Sequence, residues 1–217
     1  MKANRFITHV RRLAEIEKPL ANFLASGLLT LGEKLGPILW QFPPNFRYDP
    51  ESFTRFLDLL PPDTARASAI ARTHESWMRG RSAVRAEGLR TLRHAIEVRN
   101  ESFRNPGFLK SLRERKLALV VSHSSGRWPF FEELTSDFAY ARLHGEGELY
   151  SGEYGEEALR FWKRRISSWA KGTQSGGGRD VYVYFDNDAK FKAPSDATTL
   201  IELLQKARAP VSFRRGA

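Results

Sequence analysis

The sequence contains no cysteine. Disulfides, thiolate nucleophiles and cysteine-ligated zinc or iron–sulfur centres are therefore excluded, and any metal must be held by His, Asp, Glu or backbone oxygen. No apolar run approaches the roughly 18 residues that span a bilayer, and the N-terminus lacks the basic-then-apolar order of a signal peptide. The chain is expected to be cytoplasmic, with no membrane partner. Acidic residues are the scarcer charge, 25 Asp and Glu against 35 Lys and Arg, for a formal net charge of +10. That balance points to an anionic partner such as phosphate or nucleic acid. The bases are dispersed in clusters at 11–12, 79–93, 113–116, 163–165 and 214–215. Most are expected to be solvated helix faces and loop ends.

Several chemical signatures are missing as well. There is no Walker loop, dinucleotide fingerprint or nucleophile elbow. His74-Glu75 has no second histidine four residues on, so it is not a zincin motif, and His74 and His94 are read as structural. What the chain does have is 217 residues at 41% hydrophobic content, enough to bury a core.

The organising stretch is 93–103, RHAIEVRNESF. Strand side chains return to one face every second residue, so Glu97 and Arg99 point one way while Ile96 and Val98 point the other. A carboxylate beside a guanidinium in a buried strand is tolerated best at its C-terminal end, where parallel α/β folds open their substrate crevice. Four more segments begin apolar and end polar: PILWQF at 37–42, LALVVS at 117–122, FAYARLH at 138–144 and VYVYFD at 181–186. They carry Gln41, Ser122, the pair Arg142 and His144, and the pair Tyr184 and Asp186. One such ending is an ordinary strand running into a loop; five in succession mark a rim.

Between the strands, apolar residues at helical spacing predict helices over 19–33 (Leu20, Phe23, Leu24, Leu28, Leu31), 50–60 and 63–78. Further helices are predicted over 106–116, capped by Asn105, over 156–171 (Leu159, Trp162, Ile166, Trp169), and over 195–207 (Leu200, Ile201, Leu204). Glycines at 176–178 read as a linker and 211–217 as a tail, leaving 1–210 as one domain. The acidic, Gly-rich stretch 145–155 is either a lid or a plain connection. Strand and helix are expected to alternate throughout without hairpins, which means a parallel sheet.

Together, RFITH at 5–9, LGPILWQFPPNF at 35–46, RHAIEVRNESF at 93–103, YARLHG at 140–145 and VYVYFDND at 181–188 resemble the YecE-like family, domain of unknown function 72. The resemblance implies a (β/α)₈ TIM barrel. It makes the five strands the fourth to eighth, with 1–3 as the tail of the third. Family members begin with a Gly-Thr-Ser-Gly-Trp strand and two further βα units. On that basis the chain is expected to be an N-terminally truncated fragment whose interior residues Leu39, Val120 and Tyr140 are exposed. His123 stands where relatives more often carry Asp, and Asp186 where many carry Asn. The family has no established activity, so the resemblance transfers no catalytic role.

In a TIM barrel the strand ends bear the active site. Glu97 and His144 are the candidate general bases, expected to lie near Arg99 and Arg142, which could clamp a phosphate or carboxylate. Gln41, Ser122, Tyr184, Asp186, Asn187 and His9 complete the substrate-binding set. Glu97 could equally be one half of a buried structural ion pair. No cofactor is identified; a divalent metal on His9, Glu97, His144 and Asp186 is only weakly supported by chain spacing. The leading reading is an enzyme acting on an anionic small molecule or phosphodiester. The alternative is a non-catalytic module that binds nucleic acid through its basic surface.

Overall fold

Each of the five apolar segments forms a strand: β1 (Ile38–Gln41), β2 (His94–Glu97), β3 (Ala118–His123), β4 (Phe138–Leu143) and β5 (Asp180–Phe185). The computed structural model describes residues 1–172 and 178–206; the greater part of the expected linker at 176–178, and the tail at 211–217, lie outside them. The sheet order is β1-β2-β3-β4-β5, and β1–β2, β2–β3 and β4–β5 pair in parallel. The chain divides into two compact units, Met1–Val121 with Phe131–Asp137, and Ser122–Phe130 with Phe138–Ala217. Among the described residues no helix is long and apolar enough to cross a membrane.

In the first unit, α1 (Glu17–Ala25), α2 (Pro50–Leu59), α3 (Thr64–Ala71) and α4 (Pro106–Glu114) accompany β1, β2 and the start of β3. Three of these helices start where a side chain can satisfy free N–H groups. Asp49 accepts from Ser52, Asp63 from Arg66, and Asn105 from Gly107 and Phe108. Proline at the first turn of α2 and α4 lacks the N–H that would go unpaired there. Ile38, Trp40, Phe42, Ile96, Val98 and Leu119 belong to the core, with Phe53, Phe56, Phe103 and Phe108 from the helices and turns. Within it Trp40 meets Phe23 and Phe56 edge-on. Leu39, Gln41, Ala95 and Glu97 alternate onto the other face.

In the second unit, β4 and β5 pair over six residues and are followed by α5 (Glu156–Ala170) and α6 (Ala193–Lys206). Leu159, Trp162, Ile166 and Trp169 are all buried, as their spacing predicts. Glu156 and Glu157 sit in the first turn of α5, where the helix dipole favours negative charge.

Four expectations are corrected. The helix predicted over 19–33 breaks at Gly27, whose φ of 98° no α-helix accommodates, and continues as a 3₁₀ segment, Leu28–Lys34. Leu31 is left 37% exposed. The helix predicted to reach residue 78 ends at Ala71, because Asn22 of α1 binds both the backbone N–H and the carboxylate of Glu75 and diverts the chain. The alternation is interrupted, since no α-helix separates β3 from β4. On α6, Leu200 is buried but Ile201 is 54% exposed.

Leu39, Val120 and Tyr140 are buried, contrary to the expected exposure. For Leu39 the reason is visible. Its N–H donates to the Met1 carbonyl and its own carbonyl accepts from Ala3, so residues 1–3 run parallel beside β1. The edge of β1 is covered at that point rather than open.

His94 is a structural residue. The Trp40 indole N–H donates to Nδ1 at 3.0 Å, so the proton of the neutral ring is on Nε2, which faces the Pro61 carbonyl at 2.8 Å. Burial pushes the imidazole down to about 4 from an ordinary 6.5. The unfolded chain therefore takes up a proton that the folded one refuses. Stability should be full above about pH 6.5, fall as pH drops, and level off near pH 4, a loss on the order of 3 kcal/mol. His94→Phe should remove this slope while costing about 1–3 kcal/mol at neutral pH through the stranded indole N–H and carbonyl. Denaturant unfolding between pH 4 and 8 measures both; an unchanged acid limb in the variant would assign the proton to another group.

Candidate active site

In the first unit the polar strand ends are adjacent. β1 and β2 pair with Gln41 opposite Glu97, and the Phe42 N–H donates to the Glu97 carbonyl. Arg99 lies two residues beyond, past the last ladder residue of β2, and returns to the same face. Its Nε donates to Glu97 Oε1 at 2.7 Å and its Nη2 lies 2.7 Å from the same oxygen. The pair is buried, with side-chain exposures of 8% and 0%. Gln41 is buried too, and its amide makes no side-chain hydrogen bond among the described residues.

His9 sits on the short π-helical turn Phe6–Val10, its Nδ1 2.8 Å from Thr8 Oγ1. Burial holds its pKa below the ordinary imidazole value, reinforced by the positive charges of Arg5, Lys2 and Arg99 and opposed by Glu97. Three cations and one carboxylate thus act on this ring, an environment that favours an arriving anion.

In the second unit the same alternation gathers Ser122, Arg142, Tyr184, His144 and Asp186. Arg142 and Tyr184 are register partners. The His144 N–H donates to the His123 carbonyl at 2.9 Å, which sets Ser122 beside Arg142 and Ser124 beside His144. Asp186 Oδ2 pairs with Arg142 Nη2 and lies 3.3 Å from His144 Nδ1. One carboxylate thus faces both a guanidinium and an imidazole. Tyr184 is 42% exposed and stacks on Tyr140 at 5.0 Å. Ser122 Oγ is buried without a hydrogen-bond partner among the described residues.

Three neighbours of His144 escape sequence reasoning. Trp128 and Tyr150 meet its ring edge-to-face at 5.3 and 5.5 Å. Ser124, beside it on β3's continuation, accepts from the Trp128 N–H. All three lie on loops, where no periodicity marks them.

Two residues have different surroundings from those expected. His123 faces away from Ser122, with Nδ1 2.7 Å from the Tyr154 hydroxyl and its ring against Trp162, so it does not alter the rim charge. The Gly145 N–H donates to that hydroxyl, and burial holds the His123 imidazole below its ordinary pKa. Asn187 is fully buried, its amide donating to the Gly152 carbonyl and to Asp196. Asp196 also accepts from the Tyr154 N–H. The acidic loop 145–155 is thereby fastened to α6, and exposed pairs Lys190–Glu148 and Lys192–Glu153 add to the hold. Among the described residues no group of three or more His, Asp or Glu could hold a metal ion, which includes the set His9, Glu97, His144 and Asp186.

The family model for DUF72, a protein of unknown function, matches residues 1–215, and the chain belongs to that family. No curated protein matches. A DUF72 family protein from Thermotoga maritima is 20% identical, with a TM-score of 0.69 over 94% of this chain and 72% of that one. One from Enterococcus faecalis is also 20% identical, with a TM-score of 0.61 over 88% of this chain and 67% of that one. At such identity the likeness establishes the fold.

Two substitutions test this local architecture. Glu97→Ala strands a buried guanidinium and should cost about 3 kcal/mol, whereas Glu97→Gln keeps an acceptor and should cost less. Equal losses in denaturant unfolding would show that the ion pair does not set the cost. A Cβ at Gly152 would overlap the Glu146 carbonyl, so Gly152→Ala should cost about 2 kcal/mol. It should also shift the His144 ring resonances through Tyr150; unmoved resonances would mean that the loop does not position that ring.

Proposed function

We propose that this protein is an enzyme acting on an anionic small molecule or phosphodiester at the carboxyl ends of its strands, which are strands four to eight of a (β/α)₈ barrel. The observation that carries the reading is Asp186 facing both Arg142 and His144 at those strand ends. A carboxylate at Nδ1 orients an imidazole and stabilises its protonated form, leaving Nε2 as the basic nitrogen. His144 is then the general base, with Asp186 as its positioning residue. Arg142 has five N–H donors, so it can meet Asp186 and still bind a substrate phosphate or carboxylate. Ser122, beside Arg142, supplies a further hydroxyl. His144 is fully buried, packed against the Trp128 and Tyr150 rings.

The Glu97–Arg99 pair is given a binding role in the same reading, with Gln41 and His9. The support is the excess of positive charge acting on His9, together with a guanidinium held by a buried carboxylate. A second reading, a non-catalytic module binding nucleic acid, is favoured by the net charge of +10.

The test is an anion screen by thermal unfolding on the full chain. At about 100 times Kd, a phosphate, sulfate or carboxylate compound should raise Tm by roughly 5–10 °C. Arg142→Ala should reduce that shift by half or more. A screen without shifts, or a variant that responds like wild type, would remove the anion-binding enzyme. Nucleic-acid binding that falls steeply with salt and survives Glu97→Gln would establish the second reading in its place.

A further inference from the structure

Residues 64, 68 and 72 recur every fourth position along α3 and so form one stripe of its surface. The crossover strand of chain returning towards β2 is pinned along that stripe. The Thr64 hydroxyl donates to the Gly88 carbonyl at 2.8 Å and accepts from the Arg90 N–H at 3.0 Å, while the Thr64 N–H donates to the Arg90 carbonyl. Between helix and crossover lies a cleft of about 440 Å³, lined by Ser68, Arg72 and Arg85 among others, with Leu89 at its side. This is large enough for a small organic ligand.

Three features of the cleft point to a phosphate group. Arg72 and Arg85 are exposed, and neither forms an ion pair or side-chain hydrogen bond among the described residues. Ser68 is 93% buried by its 7% exposure, yet its hydroxyl has no partner either, although it lines the cleft. No acidic residue lines the cleft: Glu87, the one carboxylate of the stretch 79–93, lies outside its lining, whereas Arg85 is in it. Two guanidinium forks and a hydroxyl offer more donors than a carboxylate uses and suit the three terminal oxygens of a phosphomonoester. A concave pocket with an apolar flank at Leu89, 75% exposed, fits a small molecule rather than an extended polymer.

We propose that this cleft binds the phosphate of a small phosphomonoester, through Arg72, Arg85 and Ser68. The site lies wholly within the first unit and shares no residue with the candidate active site, so it stands or falls separately from the function proposed above.

The experiment is calorimetric titration of the full chain with inorganic phosphate, comparing wild type with Arg85→Gln, Ser68→Ala and Arg142→Ala. Binding should saturate, weaken about tenfold or more in Arg85→Gln and severalfold in Ser68→Ala, and persist in Arg142→Ala. Circular dichroism verifies folding, with Arg72→Gln as the substitute should Arg85→Gln be unstable. Loss in Arg142→Ala alone would overturn this site while supporting the strand-end site; absent or variant-independent binding would overturn it as well. A single-stranded oligonucleotide forms the last arm. If it binds through Arg85 and phosphate fails to compete, the surface serves a polymer and the small-molecule proposal is wrong.

Discussion

The period-two alternation of a strand that is buried on both faces is the constraint from which the rest follows. Every apolar side chain sent towards the helices sends its neighbours the opposite way. Trp40 and Phe42 can fill the core around Phe53 and Phe56 only if Gln41 faces away from it. The same holds for Ile96 and Val98, which leave Glu97 and Arg99 on the other side. The polar face is thus a geometric partner of the aromatic core. A one-residue slip of β1 would place Gln41 among phenylalanines and Trp40 on the polar face.

Charge on that face must then be dealt with locally, because the strands offer little water. Both units use the same solution, a carboxylate set against a guanidinium: Glu97 with Arg99, and Asp186 with Arg142. The two differ in what else the carboxylate faces. Glu97 is wholly buried and one of its oxygens takes both Arg99 nitrogens, whereas Asp186 is 27% exposed at its side chain and also faces His144. A shared carboxylate resists being a purely structural counterion, since the state of the imidazole changes its charge balance. An asparagine at 186 could not supply that coupling.

The strand ends were legible in the sequence because each combines a strong apolar run with a polar residue at the right parity, and backbone pairing leaves such runs few alternatives. The capped helices were legible for a similar reason: Asp63 and Asn105 announce where free N–H groups begin. The break at Gly27 was not, because Leu20 to Leu31 keeps a helical apolar rhythm and only the glycine's positive φ ends it. Trp128, Tyr150 and Ser124 were hidden because they lie on loops without periodicity. Tyr150 is held through a bond between distant segments, Ala189 to Tyr150, whereas the Trp128 N–H finds the Ser124 hydroxyl within its own loop. Asn187 likewise reads as a rim residue by its position after β5, yet its amide is claimed by the loop.

Affinity for an anion and the capacity to move a proton need not reside in the same cluster. Around His9 positive charges outnumber negative ones: burial and the charges of Arg5, Lys2 and Arg99 hold the imidazole below its ordinary pKa, and Glu97 opposes them. Around His144 the nearest charges are already opposed, Asp186 against Arg142. What that cluster offers is orientation: an imidazole packed against two aromatic rings, with a carboxylate facing one nitrogen. Preorganisation of this kind does little for ground-state binding and matters when charge develops during a reaction.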